Sequence, residues 1–145
     1  MLINGQCHCG NVTFDLDWPG DAQEIPARAC GCSFCVKHGG VWTSNPDARL
    51  HATVRTAPLT TYAFGTRTAV FHVCSRCGVV PFATSDIAER VYAVVSVNTL
   101  ENVEPARLRR SPTSFDGETL DARLARRARN WIADVRIDET LLARR

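Results

Sequence analysis

The chain has 145 residues, 45% apolar and 22% charged, which suits one globular domain and argues against disorder, a collagen-like repeat or a coiled coil. A net charge of +2 is too small to point to nucleic acid, and apolar runs such as 91–97 are far shorter than the roughly 20 residues a membrane span needs. The opening MLINGQCHCG has no basic segment followed by an apolar stretch, so a cytoplasmic chain without a secretory signal is expected.

The first two-thirds reads as β. Asn11–Asp17 alternates apolar Val12, Phe14 and Leu16 with polar Thr13, Asp15 and Asp17, the pattern of a half-buried strand. Trp18-Pro19-Gly20-Asp21 ends it with turn chemistry. Further short strands are predicted at Gly40–Ser44, Leu50–Thr56, Leu59–Phe64, Thr68–Cys74, Val79–Ala83 and Arg90–Val97, most of them separated by Pro, Gly, Asn or Asp. Asn45-Pro46-Asp47 and Phe64-Gly65-Thr66 read as two of the turns. Asn102–Pro112 contains Pro105 and Pro112 and reads as a connector with at most a short helix.

The last third changes period. Leu120, Leu124, Ala128, Trp131 and Ile132 share one helical stripe, with Arg123, Arg126, Arg127 and Arg129 mostly elsewhere on the surface. Asp116 and Glu118 are expected to cap and charge the start of that helix. Trp131 continues the stripe and reads as a core anchor. The expected fold is a single domain over residues 1–145, mainly antiparallel β, with a C-terminal α-helix. Its core spans about residues 5–100 and an Arg-rich helical tail about 101–145. That tail is basic: residues 107–145 hold 10 arginines and 6 acids, against 7 basic and 9 acidic residues in 1–106, where Lys37 is the one lysine. It suits a solvated helix face or an anionic partner.

Seven cysteines carry the chemistry. An odd number in a chain without a signal peptide fits a disulfide framework poorly, and clustered thiols in a reducing compartment point to metal ligands or catalytic groups. Cys74-Ser75-Arg76-Cys77-Gly78 is a C-x-x-C turn whose glycine permits a positive φ. Cys7-His8-Cys9-Gly10 is a one-residue-shorter form that presents two sulfurs to the same side. Two such tips from distant strands can close one tetrahedral four-thiolate zinc site, as in zinc ribbons. Cys30, Cys32 and Cys35 are different: three thiols within six residues form a tripod. Seven thiols cannot fill two four-coordinate sites, and an open fourth position separates a catalytic zinc from a structural one. His38, three residues after Cys35, is the best-placed fourth ligand if the tripod is structural. His8 is expected to point away from its neighbours' metal. His51 and His72 fall in strand patterns as core or surface groups, and Ser33 is expected to donate to a metal-bound sulfur.

The pattern C-x-C, C-x-C-S-x-C, C-x-x-C-G, followed by Val97-Asn98-Thr99-Leu100, resembles the glutathione-dependent formaldehyde-activating enzyme family, also called the CENP-V/GFA domain, from about Cys7 to Leu100. The resemblance implies a β-tent fold, a structural zinc on Cys7, Cys9, Cys74 and Cys77, and a catalytic zinc on Cys30, Cys32 and Cys35: two Zn2+ per chain. It implies a carbon–sulfur lyase-type activity in which a thiol such as glutathione joins an aldehyde, as in S-hydroxymethylglutathione. The stretch after Cys35, Val-Lys-His-Gly-Gly, departs from the two basic residues many members carry, and the Arg-rich tail is not part of the core motif. The expected function is therefore a zinc enzyme acting on a small thiol–aldehyde adduct. The competing expectation is a non-catalytic two-zinc module that uses its Arg-rich tail on an anionic partner. An open tripod favours the enzyme, a bound His38 the module.

Overall fold

The computed structural model describes residues 1–140 and arranges them in two mixed sheets. Strands β1 (Leu2–Gln6), β2 (Val12–Asp17), β5 (Arg49–Val54) and β11 (Asp134–Glu139) form one sheet, in the order β1-β2-β5-β11. The second comprises β3 (Ile25–Cys30), β4 (Val41–Thr43), β6 (Leu59–Tyr62), β7 (Val70–Cys74), β8 (Phe82–Ile87), β9 (Arg90–Ser96) and β10 (Leu108–Thr113), in the order β10-β3-β4-β9-β8-β7-β6. Neighbours pair antiparallel except β10 with β3 and β11 with β5. Among the described residues two α-helices complete the fold: α1 (Ser33–His38) and α2 (Leu120–Asn130). The architecture is mainly β with one helix near the C-terminus, as the sequence predicts.

The alternation in β2 works as expected: Val12, Phe14 and Leu16 are buried and join Ile3, Leu50, Phe82, Val95 and Ile132 in a core shared by both sheets. Each such apolar side chain contributes about 1.5–3 kcal/mol on burial. Gly5 on β1 lies opposite Phe14, and a Cβ there would collide with the Phe14 ring.

Several elements differ from expectation. Strands β1 and β3 have no clear signal in the sequence: β1 alternates in burial, but one of its two buried positions is Gly5, and β3 carries Pro26 and does not alternate. The strand expected at Val79–Ala83 begins only at Phe82, because Val79 closes the preceding turn by accepting from the Cys74 amide. The connector Asn102–Pro112 becomes a short turn at Pro105–Arg107 and then β10. Pro112 is tolerated because β10 is an edge strand.

The tail also departs from a plain helix. Its N-cap is Thr119, whose hydroxyl accepts from the Ala122 amide, rather than Asp116 or Glu118. On α2 Leu120 is exposed, Leu124 and Ala128 are half-buried, and the buried residue is Arg127. Trp131 and Ile132 lie beyond the helix end. Both are buried, so Trp131 is a core residue as read, and Ile132 pairs with Ala93 before β11 begins.

Candidate metal centres

The loop that follows β1, together with the end of β7 and the turn after it, brings Cys7, Cys9, Cys74 and Cys77 together. Each segment turns at a left-handed glycine, Gly10 (φ 81) and Gly78 (φ 80), a conformation that other residues adopt only with strain. The sulfurs of Cys7 and Cys9 are 3.8 Å apart and those of Cys9 and Cys74 3.7 Å apart. Tetrahedral Zn–S bonds of about 2.3 Å put neighbouring sulfurs about 3.8 Å apart, so this set fits a four-thiolate metal. Backbone and side-chain donors support it. The Val12 amide donates to Cys7 Sγ at 3.2 Å. Asn11 Nδ2 donates to Cys74 Sγ at 3.7 Å and to the Ala57 carbonyl, while its Oδ1 accepts from the Thr56 and Ala57 amides. Burial pushes the Cys7 thiol up to about 12. Against burial, the Val79 and Cys9 amides hold Cys77 down to about 6. His8 is exposed and outside the cluster, as expected.

Cys30, Cys32 and Cys35 form the second cluster. Cys30 ends β3, and Cys32 caps α1 by accepting from the Cys35 amide at 3.4 Å. Cys35 is buried in the first turn of α1. Trp42 on β4 donates its Nε1–H to Cys35 Sγ at 3.4 Å. Gly40 makes this possible, since a Cβ there would lie 3.0 Å from Trp42 Nε1 and 3.1 Å from Cys35 Sγ. The neighbouring Cys35 thiol draws Cys30 down to about 5, and Cys30 together with burial drives Cys35 up. No histidine joins the tripod among the described residues. His38 is exposed and packs on the Phe34 ring at 4.4 Å. Ser33 makes no hydrogen bond to a thiol among the described residues, so the sulfur donors are Trp42 and the backbone instead. His51 is a surface partner of Asp138 at 2.8 Å, and His72 is half-buried against Thr84.

The tripod opens into a cavity of about 180 Å³. One wall is aromatic: Phe71 stacks on Phe64 and meets Phe34 at 4.4 Å. The lining is also basic, and sequence reasoning missed this part of it. Arg28 from β3 and Arg123, Arg126 and Arg127 from α2 supply it. Glu118 accepts from Arg126 at 2.9 and 3.1 Å and from Arg123 at 3.3 Å. Arg126 also lies 3.5 Å over the Phe115 ring. Arg127 is only 8% exposed. It meets just the hydroxyls of Thr68 and Ser85 and the Trp131 ring, and its Nε has no partner among the described residues. Burial first, then Arg126 and Arg123, lower it to about 10. An arginine run on a helix gives no local sign that it faces inward; only a cysteine tripod in the same cavity would.

Two thiol clusters, each able to hold a metal ion, on a two-sheet scaffold define a cysteine-rich, mainly β protein. The chain matches the model of the glutathione-dependent formaldehyde-activating enzyme family over residues 2–115 and belongs to that family. It is also similar to a Rhodobacter sphaeroides protein of known crystal structure, a structural genomics target. The two are 35% identical over 70% of this chain and 91% of that one, with a TM-score of 0.51. No helix among the described residues is long and apolar enough to cross a membrane.

Proposed function

We propose that the chain is a zinc-dependent enzyme of the carbon–sulfur lyase type, joining a thiol to an aldehyde or reversing that addition, as between glutathione, formaldehyde and S-hydroxymethylglutathione. One observation carries this reading: three thiols stand in a cavity wall with no fourth protein ligand among the described residues. Cys7, Cys9, Cys74 and Cys77 would hold a structural zinc, and Cys30, Cys32 and Cys35 a catalytic one. Bound zinc keeps a coordinated thiol deprotonated near neutral pH and polarises a carbonyl oxygen.

The protein's own groups supply the rest. Trp42 Nε1–H and the Cys35 amide fix the sulfurs of Cys35 and Cys32. Phe34 and Phe71 pack beside the tripod and narrow the space left to water. In the forward direction a sulfur–carbon bond forms as the carbonyl π bond opens, and the proton leaving the thiol ends on the former aldehyde oxygen. The reverse returns both. All seven cysteines are free, which suits a reducing, cytoplasmic setting.

The test is metal content and cobalt spectroscopy. Purified protein should carry two zinc ions per chain. Absorption bands of the cobalt-substituted protein should shift on adding glutathione or a small thiol. Two bound metals with no spectral response to any thiol or aldehyde would leave a structural two-metal module instead.

A further inference from the structure

Arg28, Arg123, Arg126 and Arg127 line one cavity. The carboxylates near them are Glu118, engaged with Arg123 and Arg126, and the exposed Asp116 at the rim. Three thiolates around a divalent metal would add one more negative charge. One positive charge is still left over, in a cavity that includes the buried Arg127. A buried charge without a counter-charge is costly. Arg127 meets only neutral hydroxyls and a ring, and Arg28 donates to the hydroxyl of Ser44.

We propose that this cavity takes a small carboxylic acid whose thiol or aldehyde carbon lies next to the carboxylate, with the carboxylate at the basic lining around Arg127 and the sulfur or carbonyl at the tripod. The planar guanidinium fork matches a carboxylate, and one spare charge matches a monoanion. A volume of about 180 Å³ lies below the roughly 300–1,000 Å³ of drug-sized ligand pockets, so a two- or three-carbon acid suits it better than a peptide. The inference rests on the proposed function for the sulfur end only. Its basic lining comes largely from α2, beyond residue 115, where the family match ends.

The experiment is calorimetric titration of the zinc-loaded full chain with mercaptoacetate and with 2-mercaptoethanol, which keeps the thiol and lacks the charge. Mercaptoacetate should bind about tenfold or more tightly. Arg127→Gln should weaken mercaptoacetate about ten- to hundredfold and leave 2-mercaptoethanol within about twofold. Arg28→Gln gives the same reading if Arg127→Gln fails to fold, and Arg129→Gln, exposed on α2, is the control. Equal binding of the two thiols in the wild type, or parallel losses in the variants, would overturn the proposal. So would inorganic phosphate displacing mercaptoacetate more strongly than acetate does. Titrating acetate into Cys32→Ser protein separates the two readings. Arg127-dependent acetate binding there, with no thiol response in the cobalt protein, keeps the carboxylate pocket and removes the lyase reading. A cobalt response equal for both thiols does the reverse.

Discussion

Cys9 and Cys74 touch across 65 residues of chain, whereas Cys30, Cys32 and Cys35 lie within six consecutive residues. The first cluster joins the loop after β1 to the end of β7 and the turn after it, and β1 and β7 belong to different sheets. The second is local and opens into a cavity lined by aromatic and basic side chains. A metal in the first closes a long loop and so restricts the unfolded chain. A metal in the second closes almost none. The difference teaches that two thiol sets of similar chemistry can differ in what they connect: one brings together segments of both sheets, the other lies within one short segment and faces a cavity.

The largest effect should come from breaking each cluster in turn. Cys77→Ser should leave destabilised or insoluble protein, because the inter-sheet link loses its metal. Cys32→Ser should fold, lose about one zinc ion per chain and lose any thiol response. The serine hydroxyl can still cap α1 where the Cys32 sulfur now accepts from Cys35. Circular dichroism melts and metal analysis on the two variants decide it. Equal unfolding would make both clusters structural.

The donors behind the sulfurs sharpen the contrast at smaller scale. Asn11 is 3% exposed and ties Cys74 to the Thr56–Ala57 backbone. Asn11→Ala removes a buried side chain together with its bonds to those amides, to the Ala57 carbonyl and to Cys74, and should cost about 2–4 kcal/mol in denaturant melts. Trp42→Phe removes one donor from Cys35 while keeping a ring in the core, and should cost about 1–2 kcal/mol. It should show instead as about tenfold weaker metal binding at the tripod. A larger stability loss for Trp42→Phe than for Asn11→Ala would contradict this division of labour.

The smallest effect is a pH dependence confined to the basic lining. Arg126 first, with Arg123, holds the Glu118 carboxyl below its usual value of 4.5. A depressed folded-state value means that the stabilisation is complete above about 4.5 and is lost as pH falls through the lower folded value. Glu118→Gln should therefore melt below wild type at pH 7, by about 1–2 kcal/mol. The two melting curves should converge in acid. A gap that persists unchanged at the lowest accessible pH would mean that Glu118 acts by packing rather than by charge.

What could be read from the sequence was whatever depends on near neighbours. Alternation over 12–17 marks β2 because burial of every second residue is a local pattern. Cysteine spacing separates four thiols from three because a turn or an extended pair puts adjacent sulfurs on one side. The rest depended on partners far along the chain. Leu108–Thr113 and Asp134–Glu139 become strands by pairing in parallel with Ile25–Cys30 and Arg49–Val54, and parallel pairing leaves no hairpin turn to announce it. His38 could have been a ligand by spacing, yet α1 turns its ring onto Phe34. Arg123, Arg126 and Arg127 read as a solvated face because a helix carries charge outward unless something opposite claims it. Only the tertiary structure decided that they line one cavity with a cysteine tripod, by packing α2 beside the cavity where Glu118 and Trp131 hold it.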